Sequence, residues 1–194
     1  MEDIIMAKVL VATEKPFAKV AVDGIKKVID DAGFELVLLE KYTDKKQLLD
    51  AVAELGFVNP MPVQEQVIPY MLTHENDLVA LAQTGTGKTA AFGLPILNMV
   101  NVEQRKIQSL VLAPTRELCI QIANDIKNFA SKMRGVKVVP VYGGESIVVQ
   151  YRQLDVQPQV LVATPGRLID LINRGKGDLS EVRFLVLDEA DEML

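Results

Sequence analysis

A chain of 194 residues has room for one globular domain with its own core, and 49% apolar with 24% charged residues excludes a fibrous, disordered or membrane-embedded protein. The acidic start Met1-Glu2-Asp3 is unlike a secretory leader, so the expected location is cytoplasmic, with no membrane partner. A net charge of −5 speaks against a polyanionic partner, while a single cysteine (Cys119) and a single histidine (His74) exclude an internal disulfide and a Cys/His zinc centre.

Short β-branched runs alternate with longer amphipathic stretches, the pattern of parallel strands joined by helical crossovers. Residues 8–11 and 35–39 predict strands on either side of a helix over 17–32, in which Val20, Ile25, Val28 and Ile29 share a face and Gly33 ends the run. A helix over 45–55 follows, with Leu48, Leu49, Val52 and Leu55 on one side and Gly56 as its stop. Pro60, Pro62 and Pro69 mark the next segment as irregular, and His74 falls in an exposed loop. Further strands are predicted at 78–81, 109–112, 137–141, 160–162 and 184–187. A helix opens at Thr89, where Pro95 predicts a kink, and another spans 115–133 with Leu118, Ile122, Ile126 and Phe129 on one face. Cys119 on that helix reads as a small core residue, since no histidine is placed to activate it.

Two stretches carry chemistry. Ala82-Gln83-Thr84-Gly85-Thr86-Gly87-Lys88-Thr89 lies between the strand at 78–81 and a helix. A glycine-rich turn there lets backbone N–H groups converge on phosphate oxygens, and the helix N-terminus adds its free amides and dipole. Lys88 supplies a charge for the β- and γ-phosphates, and the Thr89 hydroxyl suits Mg²⁺. The first position holds Ala82 where the common phosphate-loop pattern has glycine. The second stretch is Asp188-Glu189-Ala190-Asp191, directly after the apolar run 184–187. In an open parallel sheet every strand ends on the same edge, so Asp188 is expected beside Lys88 and Thr89, holding Mg²⁺ while Glu189 orients the attacking water.

Asp188-Glu189-Ala190-Asp191 is identical to the signature of the DEAD-box RNA helicases, and residues 51–194 resemble the first, RecA-like domain of that family motif by motif. Gly56-Phe57-Val58-Asn59-Pro60-Met61-Pro62-Val63-Gln64 is similar to its Q motif, in which the resemblance gives Gln64 the adenine edge to read. Ala82 is the residue this family itself uses to open the phosphate loop. Pro114-Thr115-Arg116-Glu117, Gly143-Gly144 and Thr164-Pro165-Gly166-Arg167 match its RNA-contacting motifs. Each follows a predicted strand, so each is expected on the sheet edge that carries the ATP site, offering helix N-termini, Arg116 and Arg167 to phosphates. Residues 104–179, with eleven Lys and Arg against six Asp and Glu, give the acidic chain a basic segment for that purpose. No base-reading set accompanies them, so contact with single-stranded or short duplex RNA is expected to be largely sequence-independent. Tyr142 beside Gly143 is placed either to stack on a base or to pack.

The family's usual phenylalanine ahead of the Q motif falls at Leu39 here, which implies a weaker hold on adenine. Its Ser-Ala-Thr motif and its arginine-bearing second domain do not occur in these 194 residues, which end just past the acidic motif. Residues 6–50 are foreign to the family and resemble the opening β-α-β of D-3-phosphoglycerate dehydrogenases, without the nicotinamide fingerprint G-x-G-x-x-G. The expectation is thus an α/β fold with a mostly parallel sheet flanked by helices, preceded by a β-α-β appendage over 1–50. Its expected function is that of an ATP-, Mg²⁺- and RNA-binding DEAD-box domain. A nucleotide-binding module without turnover, and a chimeric chain with no activity, stand as alternatives. The sequence leaves the oligomeric state open.

Overall fold

A computed structural model of the chain describes residues 43–74, 76–83 and 85–193. The predicted strand–helix–strand over 8–39, Leu39 included, lies outside those residues. What is described falls in two compact units that divide between Pro95 and Ile96.

The first unit contains α1 (Thr43–Glu54) and α2 (Pro62–Thr73), followed by the first two turns of α3 (Lys88–Met99). Leu48, Ala51 and Val52 of α1 are buried as its periodicity requires, whereas Leu55, just past the helix, is 45% exposed. Gly56 at φ +78° closes α1: its N–H reaches Ala53 O at 3.1 Å and Phe57 N–H reaches Val52 O at 3.4 Å. That paired reach back into the last turn needs a left-handed residue between the two donors, which glycine supplies.

Two expectations fail in this unit. The proline-marked segment is helical, because Pro62 takes the first-turn position where no N–H is needed and only Pro69 removes an internal bond. Burial of Gln64 and Val67 holds α2 together across that gap. Residues 78–81 form no strand: Val79 is 86% and Leu81 95% exposed, and no described strand pairs with them. A β-branched run becomes a strand only when a neighbouring backbone closes its ladder, and composition alone does not provide one. His74 is exposed as expected, its ring stacked on Tyr70 at 4.3 Å between centroids. α3 runs on through Pro95.

The second unit is built on a sheet of four parallel strands, β1 (Ser109–Leu112), β2 (Val138–Val141), β3 (Val160–Ala163) and β4 (Phe184–Leu187), in the order β2-β3-β1-β4. The strands run in register, with Leu110 opposite Leu161 on one side and Leu185 on the other. The connections carry α4 (Arg116–Phe129), α5 (Ile147–Leu154) and α6 (Pro165–Asn173), the last two being elements that the sequence pattern did not delimit. At eight and nine residues they are too short for a helical period to stand out. α4 ends four residues before the predicted Met133. Its chain tightens through Ser131 N–H to Asn128 O (3.2 Å) and Met133 N–H to Ala130 O (2.8 Å) while Met133 stays buried, so the apolar pattern outlasts the helix.

Leu110, Val139, Val141, Leu161 and Ala163 of the sheet pack with Leu168 and Leu171 of α6 and with Ile107 to form the core. Cys119 is fully buried, its thiol facing the carbonyls of Val162 at 3.4 Å and Val141 at 3.8 Å, and burial pushes its pKa up to about 12. β4 is apolar throughout yet only half covered. With β1 its one partner among the described strands it alternates, leaving Leu185 and Leu187 59% and 52% exposed. Among the described residues no helix is long and apolar enough to cross a membrane.

Candidate functional site

In the first unit the phosphate-loop sequence becomes a turn closed onto α3. Gly85 and Gly87 lie at φ +79° and +83°, and the Gly87 carbonyl takes the first helical bond, from Ala91 N–H at 3.1 Å. Lys88 and Thr89 therefore occupy the first turn of α3, where backbone N–H groups have no partner four residues back. Thr86 Oγ1 donates to Gln83 O at 2.7 Å, bracing the turn across its mouth. Thr84 lies outside the described residues, and Ala82 is half-buried.

Gln64 of α2 reaches this loop, though in a way the sequence did not suggest. Its Oε1 accepts from Met61 N–H at 3.0 Å and its Nε2 donates to Gly87 O at 3.2 Å. The amide thus locks the Q-motif segment onto the last glycine of the loop, and a Cβ at Gly87 would overlap it. One donor and one lone pair of the amide remain for any further partner.

In the second unit all four strands are parallel, so the segments that follow them leave from one edge of the sheet. After β1 come Pro114, Thr115, Arg116 and Glu117, with Thr115 capping α4 by accepting Leu118 N–H at 3.2 Å. After β2 come Tyr142, Gly143, Gly144 and Glu145. After β3 come Thr164, Pro165, Gly166 and Arg167, where Thr164 is the N-cap of α6, Pro165 fills its first position, and Thr164 N–H donates to Val141 O at 3.0 Å.

Both arginines turn toward the Tyr142–Glu145 corner. Arg116 lies over the Tyr142 ring, 4.8 Å from its centroid, and a Cβ on Gly144 (φ +82°) would come within 3.2 Å of its Nη1. Arg167 Nη1 donates to Gln150 Oε1 at 2.6 Å and its Nη2 to Glu145 O at 3.0 Å. Gln150 Nε2 donates in turn to Tyr142 O at 2.9 Å and Glu145 Oε2 at 3.1 Å. Of the two roles open to Tyr142, the structure shows packing: the ring is half-buried with one face covered by Arg116. Burial, with the Glu145 carboxylate next, holds its phenol above the ordinary value.

Gln150 and Glu145 escaped the sequence reading. The signal for Gln150 was present, since Ile147, Gln150, Tyr151 and Leu154 fall on one face of a helical period and place a polar side chain where an apolar one is expected.

After β4, Asp188 is buried, and its N–H extends the ladder by donating to Leu112 O at 3.0 Å. Glu189 follows at φ +51°, ψ +50°, and Gln157 is the other non-glycine with positive φ among the described residues. A side chain held there costs ~1–3 kcal/mol, a strain that tends to persist at functional positions. The chain then enters a 3₁₀ turn over Ala190–Glu192. Among the described residues no group of three or more His, Cys, Asp and Glu could hold a metal.

Residues 61–194 match the DEAD/DEAH box helicase family. The chain is 52% identical over 150 residues to the ATP-dependent RNA helicase DeaD of Klebsiella pneumoniae, covering 77% of this chain and 23% of that protein. It is 48% identical over 149 residues to the DEAD-box ATP-dependent RNA helicase CshA of Geobacillus kaustophilus, covering 77% and 32%. A crystal structure of a DEAD box protein from Methanococcus jannaschii superposes with a TM-score of 0.72 at 39% identity, over 80% of this chain and 42% of that one. The chain thus spans about a quarter to a third of the length of these curated relatives. With its parallel sheet and its motifs in order along residues 61–194, the chain belongs to the DEAD/DEAH box helicase family and carries that family's first RecA-like domain.

Proposed function

We propose that residues 51–194 form the ATP- and RNA-binding first domain of a DEAD-box RNA-dependent ATPase acting in the cytoplasm, with residues 1–50 taking no part in the chemistry. The observation that supports this best is the common edge of the sheet, from which Arg116, the Gly143-Gly144 turn, Arg167 and Asp188 all depart.

In this proposal the turn from Ala82 to Gly87 wraps the triphosphate with backbone N–H groups, and Lys88 neutralises the β- and γ-phosphates. Gln64 fixes the turn through Gly87 and offers its remaining donor and lone pair to adenine. Thr89 and Asp188 would each offer a hard oxygen to Mg²⁺, which would supply charge neutralisation to the phosphates it accompanies. Glu189 orients the attacking water. Pro114–Glu117, Gly143-Gly144 and Thr164–Arg167 receive RNA backbone without reading bases, for single strands or short duplexes.

In the family the arginines that neutralise the γ-phosphate in the transition state come from a second domain, and such groups contribute ~10³–10⁵ in rate. The 194 residues on their own are therefore a binding domain with turnover near background. Phosphate release by the purified chain, with and without oligouridylate, tests this. Rates should stay near background and insensitive to RNA. A strong RNA-stimulated rate that Glu189→Gln abolishes would overturn it and show that these residues complete the site themselves.

A further inference from the structure

We infer that Gln150 is a positioning residue for RNA: it ties Arg167 to the Gly143-Gly144 turn so that the two motifs meet one stretch of RNA backbone as a single rigid unit. The inference rests on the proposal that these motifs bind RNA. Gln150 touches no ligand in this scheme and acts through the groups it holds.

The side chain is fully buried on α5, on a face it shares with Ile147, Tyr151 and Leu154. A buried amide there costs stability unless its polar atoms are paired, and Gln150 pairs them all toward one corner. Its Nε2 bonds the carbonyl of Tyr142, immediately before Gly143, and the carboxylate of Glu145, immediately after Gly144. Its Oε1 takes a short, charge-assisted bond from Arg167 Nη1, while Arg167 Nη2 bonds the Glu145 carbonyl. The glycine pair is thereby bracketed on both sides, with the guanidinium fixed against it. A guanidinium has five N–H donors in one plane; two are used here and three remain for phosphate oxygens in a set direction. Glu145 brings a negative charge beside any phosphate at the turn, and Gln150 engages one of its oxygens. Without Gln150, Arg167 loses its shortest tether and the Tyr142 carbonyl loses the donor that fixes the peptide leading into Gly143.

The test is fluorescence anisotropy of labelled oligouridylate with the 194-residue chain across a salt series, for wild type, Gln150→Leu, Gln150→Asn, Arg167→Ala and the Gln150→Leu/Arg167→Ala double variant, with folding followed by circular dichroism. Gln150→Leu should weaken RNA binding by roughly fivefold, within the coupling expected of residues sharing one network. It should also flatten the log–log salt slope by ~0.7, the loss of one phosphate contact, although no charge has been removed. The double variant should bind no more weakly than Arg167→Ala alone. Gln150→Asn keeps the amide but is one methylene too short to reach both sides, so it should shift affinity and slope the same way if Gln150→Leu fails to fold. A lowered melting temperature with unchanged slope and affinity, or losses that add independently in the double variant, would overturn the inference while leaving RNA binding by Arg167 in place. If Arg116→Ala and Arg167→Ala both bind RNA as wild type does, the RNA assignment of these motifs fails and the inference fails with it.

Discussion

The two regions proposed to face phosphates present the same kind of group, backbone amides at the start of a helix, yet are supported differently. The loops after β1, β2 and β3 leave strands that are paired in register, and the Thr164 N–H even bonds across to Val141 of the neighbouring strand. The Ala82–Thr89 loop leaves an exposed segment that pairs with no described strand, and is held by side chains: Gln64 onto Gly87 and Thr86 onto Gln83. A ladder distributes support over many bonds, whereas a side-chain lock concentrates it in a few atoms. Single substitutions should therefore do more damage in the second case than in the first.

The largest effect is expected at Gly87. Its φ of +83° excludes side chains at a cost of ~1–2 kcal/mol, and a Cβ would also collide with the Gln64 amide. Gly87→Ala should lower ATP affinity by at least about tenfold, read by displacement of a fluorescent ATP analogue, with the melting temperature falling only slightly. An unchanged affinity would show that Gln64 can withdraw without loss and that the lock is dispensable.

A middle effect is expected on the strand-supported edge. Arg116→Ala removes one cation but leaves the β1–β3 ladder and the Thr115 cap in place, so RNA binding should weaken several-fold while the fold persists. The same change removes a nearby positive charge that favours the Tyr142 phenolate, so the phenol should titrate higher still. Absorbance titration checks the sign, and a downward shift would mean that Arg116 does not sit over the ring in solution.

The smallest effect concerns Cys119 beneath β2 and β3. Its pKa is raised to about 12 by burial, so the thiol should resist iodoacetamide at pH 8 in the native chain and react once the chain unfolds. Because the folded state disfavours the thiolate, the stability it contributes is complete below the ordinary thiol pKa of 9.0 and is lost as pH rises toward 12. Rapid native alkylation would mean that the sheet opens locally and that the ladder is a weaker support than its register implies.

The sequence made the sheet legible and the first unit much less so. Runs such as Ser109–Leu112 and Val160–Ala163 are strands because each finds a partner among the others, and their parallel order follows from the helices between them. The run at 78–81 has a similar composition and no partner among the described strands, a distinction that lies in pairing rather than in residue type. The prolines misled for the opposite reason, since their positions within α2, not their number, decide whether a helix survives. Lys88, Arg116, Arg167, Asp188 and Glu189 could be named from motifs, but the Gln150 and Gln64 locks could not, because which atoms a buried amide pairs with is decided by how separate elements meet.

The central claim, that Ala82–Thr89 is a working triphosphate cradle, is tested most directly by calorimetric titration of ATP with Mg²⁺ into the wild-type chain and Lys88→Ala. Lys88→Ala removes the charge proposed to face the phosphates, so wild type should give a saturable binding heat and the variant none, with identical circular dichroism. Equal affinities for the two proteins would contradict the claim.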